Sequence, residues 1–289
     1  MKPAPFTYHA PDTLTEALEL LDTLDNARVL AGGQSLMPMM NFRVAQPDHL
    51  IDLGRIADLA GIESGKGALR VGAMTTQRTI ERSAAVNAQC PLIVEALSHV
   101  GHQQTRNRGT IGGSLCHLDP AAELPVAAMV VDPVLTIASR TGTRQLSFQD
   151  FPVDTLTPQL AANEMLLHLD FLPQPAGTGW AFAEFARRPA DFAIVAVAVM
   201  VTAGDDGRIE TVRIAVGGLG GTPTRAIEAE ICLIGRRIDE SLSHAAEAMR
   251  ALPADGDINY PADYRQDLAD ALLREALSTA FARCRRTHG

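Results

Sequence analysis

Cysteine is scarce in this 289-residue chain, and its placement excludes more than its number does: Cys90, Cys116, Cys232 and Cys284 stand far apart, with no CxxC pair. That spacing leaves no ligand set for a zinc or iron–sulfur site and no disulfide framework. Basic clusters are also missing, and the formal net charge of −9 is spread along the chain, which argues against nucleic acid or an acidic membrane as the main partner. No apolar run reaches membrane-spanning length, and the start MKPAPFTYHAP lacks the charged and apolar regions of a signal peptide, so a cytoplasmic protein is expected. Several nucleotide and catalytic signatures are missing as well. No GxGxxG follows a strand, no GxxxxGK[ST] occurs, and there is no GxSxG elbow. His99, His102 and His117 come with no HExxH and no third carboxylate at a suitable spacing, which argues against a metal centre.

What the chain does have is paired glycines. In TIGGSLCHLDPAAELP (110–125), Gly112 and Gly113 separate an apolar Ile111 from Ser114, and such a loop turns tightly and offers bare N–H groups to an anion. Asp119-Pro120 ends it, and Ala121 to Val131 reads as a helix with Glu123 in its early turn, where an acid meets a ribose hydroxyl. RVLAGGQSLMPMMNFR (28–43) repeats the plan: a short strand runs into Gly32-Gly33, then Gln34 and Ser35. A diphosphate gripped from two sides needs two such loops. With both nucleotide folds excluded, flavin adenine dinucleotide (FAD) becomes the leading candidate. Arg106 and Arg108, in GHQQTRNRG, either attract that diphosphate or form a wet surface turn.

At 289 residues and 46% hydrophobic, the chain has material for two domains. Thr13 to Leu24 is an amphipathic helix with Thr13 and Glu16 as a capping box. Strands follow at Val29–Ala31, His49–Leu53 and Ala68–Ala73, with Thr76 as a helix cap, helical segments at 77–88 and 91–100, a hairpin at 133–147 and a strand at Met165–Phe171. The breaker-rich PQPAGTG (173–179) places a domain boundary near Gly177. Beyond it, three strands read as an antiparallel meander, and three helices follow, at Thr224–Leu233, Ser241–Leu252 and Asp263–Arg285, giving an α+β domain. The loop GGLGGTPTRA (217–226) either turns strand into helix or faces the cofactor's ring.

On AGGQSLMPMMNFR, QTRNRGTIGGSLCHLDPAAELP, RRPADFAIVAVAV and GGLGGTPTRAIEAE, the chain resembles, nearly end to end, the flavin (medium) subunit of molybdenum hydroxylases. This family includes aerobic carbon monoxide dehydrogenase and bacterial xanthine, nicotinate, quinoline and caffeine dehydrogenases. The resemblance implies an FAD-binding domain of the vanillyl-alcohol oxidase / p-cresol methylhydroxylase type over 1–176, in subdomains of about 1–55 and 56–176, and a C-terminal α+β domain over 177–289. It implies that Arg28, Val29, Leu30, Ala31, Gly32, Gly33, Gln34, Ser35 and Leu36, with Thr110, Gly112, Gly113 and Ser114, hold the FAD diphosphate. Val100 and Gly101 would lie beside the cofactor, Cys116 and His117 would line its site, Glu123 would meet the ribose, and Met165 and Leu166 would approach the flavin. Glu184 replaces the lysine that often stands there in xanthine-oxidising members, which alters the expected flavin potential, and Gln34 offers no histidine for covalent attachment.

In such a complex, substrate is oxidised at a molybdenum cofactor in a large subunit. Electrons cross two [2Fe-2S] clusters in a small subunit and leave through FAD to an external acceptor, the subunits forming a heterotrimer or its dimer. No acid–base residue for the substrate is then needed in this chain. The alternatives are a stand-alone FAD oxidase or dehydrogenase, whose pocket would have to use His168, Tyr260, Tyr264 and His244, and a flavin-free binding module in which the glycine loops are mere turns.

Overall fold

The computed structural model describes residues 1–65 and 67–286. The chain opens with β1 (Thr7–His9), α1 (Leu14–Thr23), β2 (Ala27–Leu30), α2 (Leu36–Asn41) and β3 (His49–Asp52), whose strands form a parallel sheet in the order β1-β3-β2. Thr13 caps α1 by accepting the Glu16 N–H at 3.2 Å, but the Glu16 carboxylate reaches back to the N–H of Asp12, at 3.1 Å, and not to that of Thr13. Ala17, Leu18 and Leu21 lie one turn apart and pack on Ile51 and Leu53 of the sheet and the turn after it.

The middle of the chain contributes β4 (Ile62–Ser64), β5 (Leu69–Gly72), six short helices, namely α3 (Gln77–Glu81), α4 (Ala84–Gln89), α5 (Pro91–His99), α6 (Gln103–Arg108), α7 (Ile111–His117) and α8 (Glu123–Val131), and then β6 (Val134–Ser139), β7 (Gly142–Ser147), β8 (Pro152–Asp154), β9 (Thr157–Pro158) and β10 (Met165–Phe171). Five of these strands make an antiparallel sheet in the order β4-β5-β10-β6-β7, and β8 and β9 form a separate ribbon. Three local expectations are corrected. The helix expected over 77–88 is two helices, because Ser83 turns the chain and caps the second through the Val86 N–H. GHQQTRNRG is solvent-facing as the surface reading has it, but it is a short helix, α6, with no buried residue, and not a turn. Gly112 and Gly113 sit in the first turn of α7 and not in a loop, since Thr110 is extended and caps that helix.

The last part is β11 (Gly179–Phe185), β12 (Val195–Ala203), β13 (Ile209–Gly217) and β14 (Thr224–Arg225), an antiparallel sheet in that order, covered by α9 (Ile227–Leu233), α10 (Ile238–Arg250) and α11 (Ala262–Arg286). The helix expected from Thr224 begins three residues later because Thr224 and Arg225 pair with β13. β12 is buried on both faces, and period-2 alternation sorts its residues: Val195, Val197, Val199 and Val201 face the helices, while Ala196, Ala198 and Met200 face α8. All nine residues of α8 are buried. A helix that is apolar all round must be covered all round. It packs on α5 and against β12 and β13, in one core that also takes in residues of β6 and β10, so the N-terminus of α8 marks the seam between the two large sheets.

Candidate cofactor site

After β2 the chain turns through Gly33, at φ +72°, before α2 begins. Among the described residues, the backbone N–H groups of Gly32, Gly33, Gln34 and Ser35 donate to nothing in the protein. The side chain of Gln34 folds back to the Gly32 carbonyl at 3.3 Å, and Ser35 makes no side-chain cap to α2, so its hydroxyl stays free. Four successive unbonded donors on a half-exposed turn are available to an anion.

The second glycine segment works differently from expectation. Its amides are not bare: Ile111 N–H donates to Thr75 O (3.1 Å), Gly112 N–H to Ala73 O (2.9 Å), Gly113 N–H to Thr110 Oγ1 (3.1 Å) and Ser114 N–H to Thr110 O (3.1 Å). What these glycines provide is close approach. A Cβ on Gly112 would stand 2.7 Å from Ala73 O, and one on Gly113 2.8 Å from Thr110 Oγ1 and 3.3 Å from Ala31 Cβ. A Cβ on Gly32 would fall on the Arg108 carbonyl and lie 2.8 Å from Gly109 Cα. The two glycine segments therefore press on each other, backbone to backbone. The polar group that the second segment offers is the Ser114 hydroxyl, which has no partner among the described residues.

The arginines separate by role. Arg106 is not free for an anion: its guanidinium donates to Val100 O (2.8 Å), to Gly101 O (3.0 Å) and to both oxygens of Glu81 (3.2 and 3.3 Å), holding the turn after α5 in place. Although burial pushes the Glu81 carboxyl up, the hydrogen bonds of Arg78 and Arg106 keep it below its usual range. Arg108 and Arg28 are exposed, and neither side chain has a partner among the described residues. Leu30, Ala31 and Leu36 are half-buried around the first turn, and Val29 packs beneath it on the core of the first sheet. Thr110 is buried under the second segment.

Cys116 and His117 end α7. Burial pushes the Cys116 thiol up to about 12, so it is no thiolate, and burial lowers His117 despite Asp119 at 3.8 Å. Met165 and Leu166 are core residues at 3% and 4% exposure whose side chains enter different cores. Their strand nevertheless reaches the glycine segment through Leu167 O, which accepts from Ala73 N–H, and Ala73 O, which accepts from Gly112 N–H. The loop after β13 comes close too, since a Cβ on Gly217 would be 3.6 Å from Pro120 O.

Glu123 and Glu184, remote in sequence, meet at the seam. Glu123 starts α8 at 7% exposure, and burial, reinforced by Glu184 and Asp119 and opposed by His99, pushes its carboxyl up to about 7. Glu184 Oε1 lies 3.3 Å from His99 Nδ1, and its Oε2 is buried with no hydrogen-bond partner among the described residues. The hydrogen bond to Glu184 raises the His99 pKa against the effect of burial. Sequence reasoning weighed His99 only as a metal ligand; its place in the last turn of α5, just before Val100, was the available signal. It also passed over Gln77, 4% exposed, whose Oε1 has no partner and sits beside Gly109. The residues a stand-alone enzyme would need are scattered: His168 on β10, His244 on α10, and Tyr260 stacked on Tyr264 before and within α11.

Residues 4–175 match the FAD binding domain in molybdopterin dehydrogenase, and residues 180–280 the CO dehydrogenase flavoprotein C-terminal domain. The chain is 36% identical to the 6-hydroxypseudooxynicotine dehydrogenase complex subunit alpha of Paenarthrobacter nicotinovorans, over 99% of this chain and 98% of that one. It is 35% identical to the carbon monoxide dehydrogenase medium chain of Hydrogenophaga pseudoflava, over 98% of this chain and 100% of that one. Its fold superimposes on a chain of quinoline 2-oxidoreductase from Pseudomonas putida 86 with a TM-score of 0.93, at 36% identity and over 98% and 99% of the two chains. Two sheets joined across a buried helix, paired glycine segments and end-to-end similarity agree: the chain belongs to the FAD-binding medium subunits of the molybdenum hydroxylase family.

Proposed function

We propose that FAD binds non-covalently with its diphosphate on the free N–H groups of Gly32 to Ser35, and that the chain delivers electrons from a partner iron–sulfur subunit to an external acceptor. The nest of four unbonded amides, set against a second segment that presents the Ser114 hydroxyl, carries this reading. Gly32 and Gly113 let the two segments come close enough to act together. Arg28 and Arg108 supply positive charge at the rim, Glu123 serves the ribose end, and the Val100–Gly101 turn, fixed by Arg106, lines the cofactor. When bound, FAD supplies the redox chemistry; the protein's part is to hold it, shield it and set its potential.

The partners proposed are a large molybdenum-binding subunit and a small subunit with two [2Fe-2S] clusters, in a heterotrimer or its dimer within the cytoplasm. The relatives' names support a multi-subunit complex. No described helix is long and apolar enough to cross a membrane. Denaturing the purified protein and separating the released flavin tests the cofactor assignment. FAD at about one per chain is expected, and a colourless protein that ignores added FAD, or one that releases FMN, refutes it.

A further inference from the structure

Three titratable groups from three elements meet where the two large sheets join: His99 from α5, Glu123 from α8 and Glu184 from β11. Glu184 Oε1 pairs with the His99 imidazole, Glu123 acts on both through charge, and Glu184 Oε2, on a side chain only 6% exposed, has no donor among the described residues. A buried carboxylate oxygen without a donor is unfavourable in the ionised form and stands open to a proton. Exposure divides the cluster: the His99 side chain is 33% exposed, while both carboxylates are buried.

We propose that His99, Glu184 and Glu123 form a proton-exchanging cluster that takes up one proton from solvent when the bound flavin is reduced, with Glu123 as the final acceptor and His99 as the entry. This rests on the assignment of Glu123 and Glu184 to the FAD site. The balance is simple: an external reductant gives two electrons to the cofactor, water gives one proton to the cluster, and the Glu123 carboxylate becomes a carboxylic acid. Under that assignment Glu184 stands on the flavin side and Glu123 at the ribose end, so charge that the ring's own protons leave uncancelled acts on Glu184 and, through their mutual repulsion, on Glu123.

Glu123 is poised for that change, because burial has already moved it to about 7. The charged groups around it are Glu184 from β11 and Asp119 from the α7–α8 link, both raising its pKa, and His99 from α5, which lowers it. Glu95 of α5 acts on His99 and is itself held by Arg283 of α11. His117 of α7 faces Asp119. Burial sets Glu123 at about 7 in the chain without FAD; negative charge added by flavin reduction raises it further, so uptake falls on the alkaline side of that value.

The test is the pH dependence of the flavin midpoint potential, measured from pH 6 to 9 on the full chain loaded with FAD, with dithionite as reductant, in wild type, Glu123→Gln, Glu184→Gln and His99→Gln. One extra proton per two electrons adds about 30 mV per pH unit for a two-electron couple. Wild type should show this added slope above pH 7, Glu123→Gln should lack it, and His99→Gln should move it to higher pH by removing the cation. Identical slopes in all four proteins overturn the proposal. If Glu123→Gln releases FAD, the reduced-minus-oxidised infrared spectrum of wild type decides. A new protonated-carboxyl band at pH 7.5 supports uptake, and its absence, or loss of FAD from all three variants, leaves the cluster as a holding device only and overturns the proposal. Failure of wild type to bind FAD at all is a different result, which strikes the site assignment itself.

Discussion

Gly32→Ala probes the contact that makes the two glycine segments one site. The added Cβ would fall on the Arg108 carbonyl, 2.7 Å from Arg108 C and 2.8 Å from Gly109 Cα, inside the 3.0 Å that real Cβ contacts respect. Neither side can give cheaply. The obstructing atoms are backbone, and Gly109 is fixed by its N–H to Thr105 O at 2.7 Å and by its carbonyl, which accepts from Gln77 N–H at 2.8 Å. Overpacking typically costs about 1–3 kcal/mol, and a backbone clash on a pinned segment belongs at the upper end. If the segments part, the cost appears as weaker FAD binding, up to about 100-fold at 1.4 kcal/mol per decade. If they stay together, it appears as lower stability of the apoprotein. Titrating apoprotein with FAD by fluorescence quenching, alongside thermal unfolding of the apo form, captures both. Gly33→Ala provides the scale: its Cβ would meet only the Met37 and Leu30 side chains, at 3.3 and 3.4 Å, and the left-handed backbone costs roughly 1–2 kcal/mol. A Gly32→Ala protein that binds FAD and melts like wild type would refute the reasoning.

Arg106→Ala removes charged hydrogen bonds to Val100 O, Gly101 O and Glu81, so a stability loss of about 2–3 kcal/mol is expected in urea unfolding, with weaker FAD binding; an unchanged midpoint contradicts the pinning role. Ser114→Ala should weaken FAD binding by about 0.5–1.5 kcal/mol while leaving the unfolding temperature of the apoprotein unchanged, because the hydroxyl has no internal partner to lose. The reverse pattern would give Ser114 a packing role. Elemental analysis of the isolated chain should find no stoichiometric iron, zinc or molybdenum, since none of the described residues gathers three or more metal-ligating side chains; one equivalent of metal would contradict it.

Local signals were enough for the glycine segments, the meander and most helices, because Gly-Gly, period-2 alternation and capping residues act within a few residues of themselves. Thr13, Thr76 and Thr110 all cap helices, though only the first two were read that way. The use made of each glycine was not legible. Gly112 and Gly113 look like Gly32 and Gly33 in sequence, but whether an amide is free depends on distant carbonyls such as Ala73 and Thr75, which reach α7 only through the fold. Arg106 looked like a diphosphate ligand because its partner Glu81 is 25 residues away. The pairing of His99 with Glu184 likewise depends on a strand from the other sheet, which no local pattern announces. The sandwiching of α8 was implicit in its unbroken apolar run, whose partners only the topology supplies.

The central claim, that this chain carries electrons out of a larger complex and oxidises no substrate itself, is tested most directly by following the flavin absorbance of the FAD-loaded chain anaerobically, alone and after co-expression with the large and small subunits proposed as its partners. The complex should bleach on adding the organic substrate; a Gly113→Val side chain would meet Thr110 Oγ1 and Ala31 Cβ and part the two glycine segments, so that complex should lose FAD, keep dye reduction and lose turnover with the natural acceptor. Bleaching of the isolated chain by that substrate, or equal loss of both activities in the Gly113→Val complex, would contradict the account.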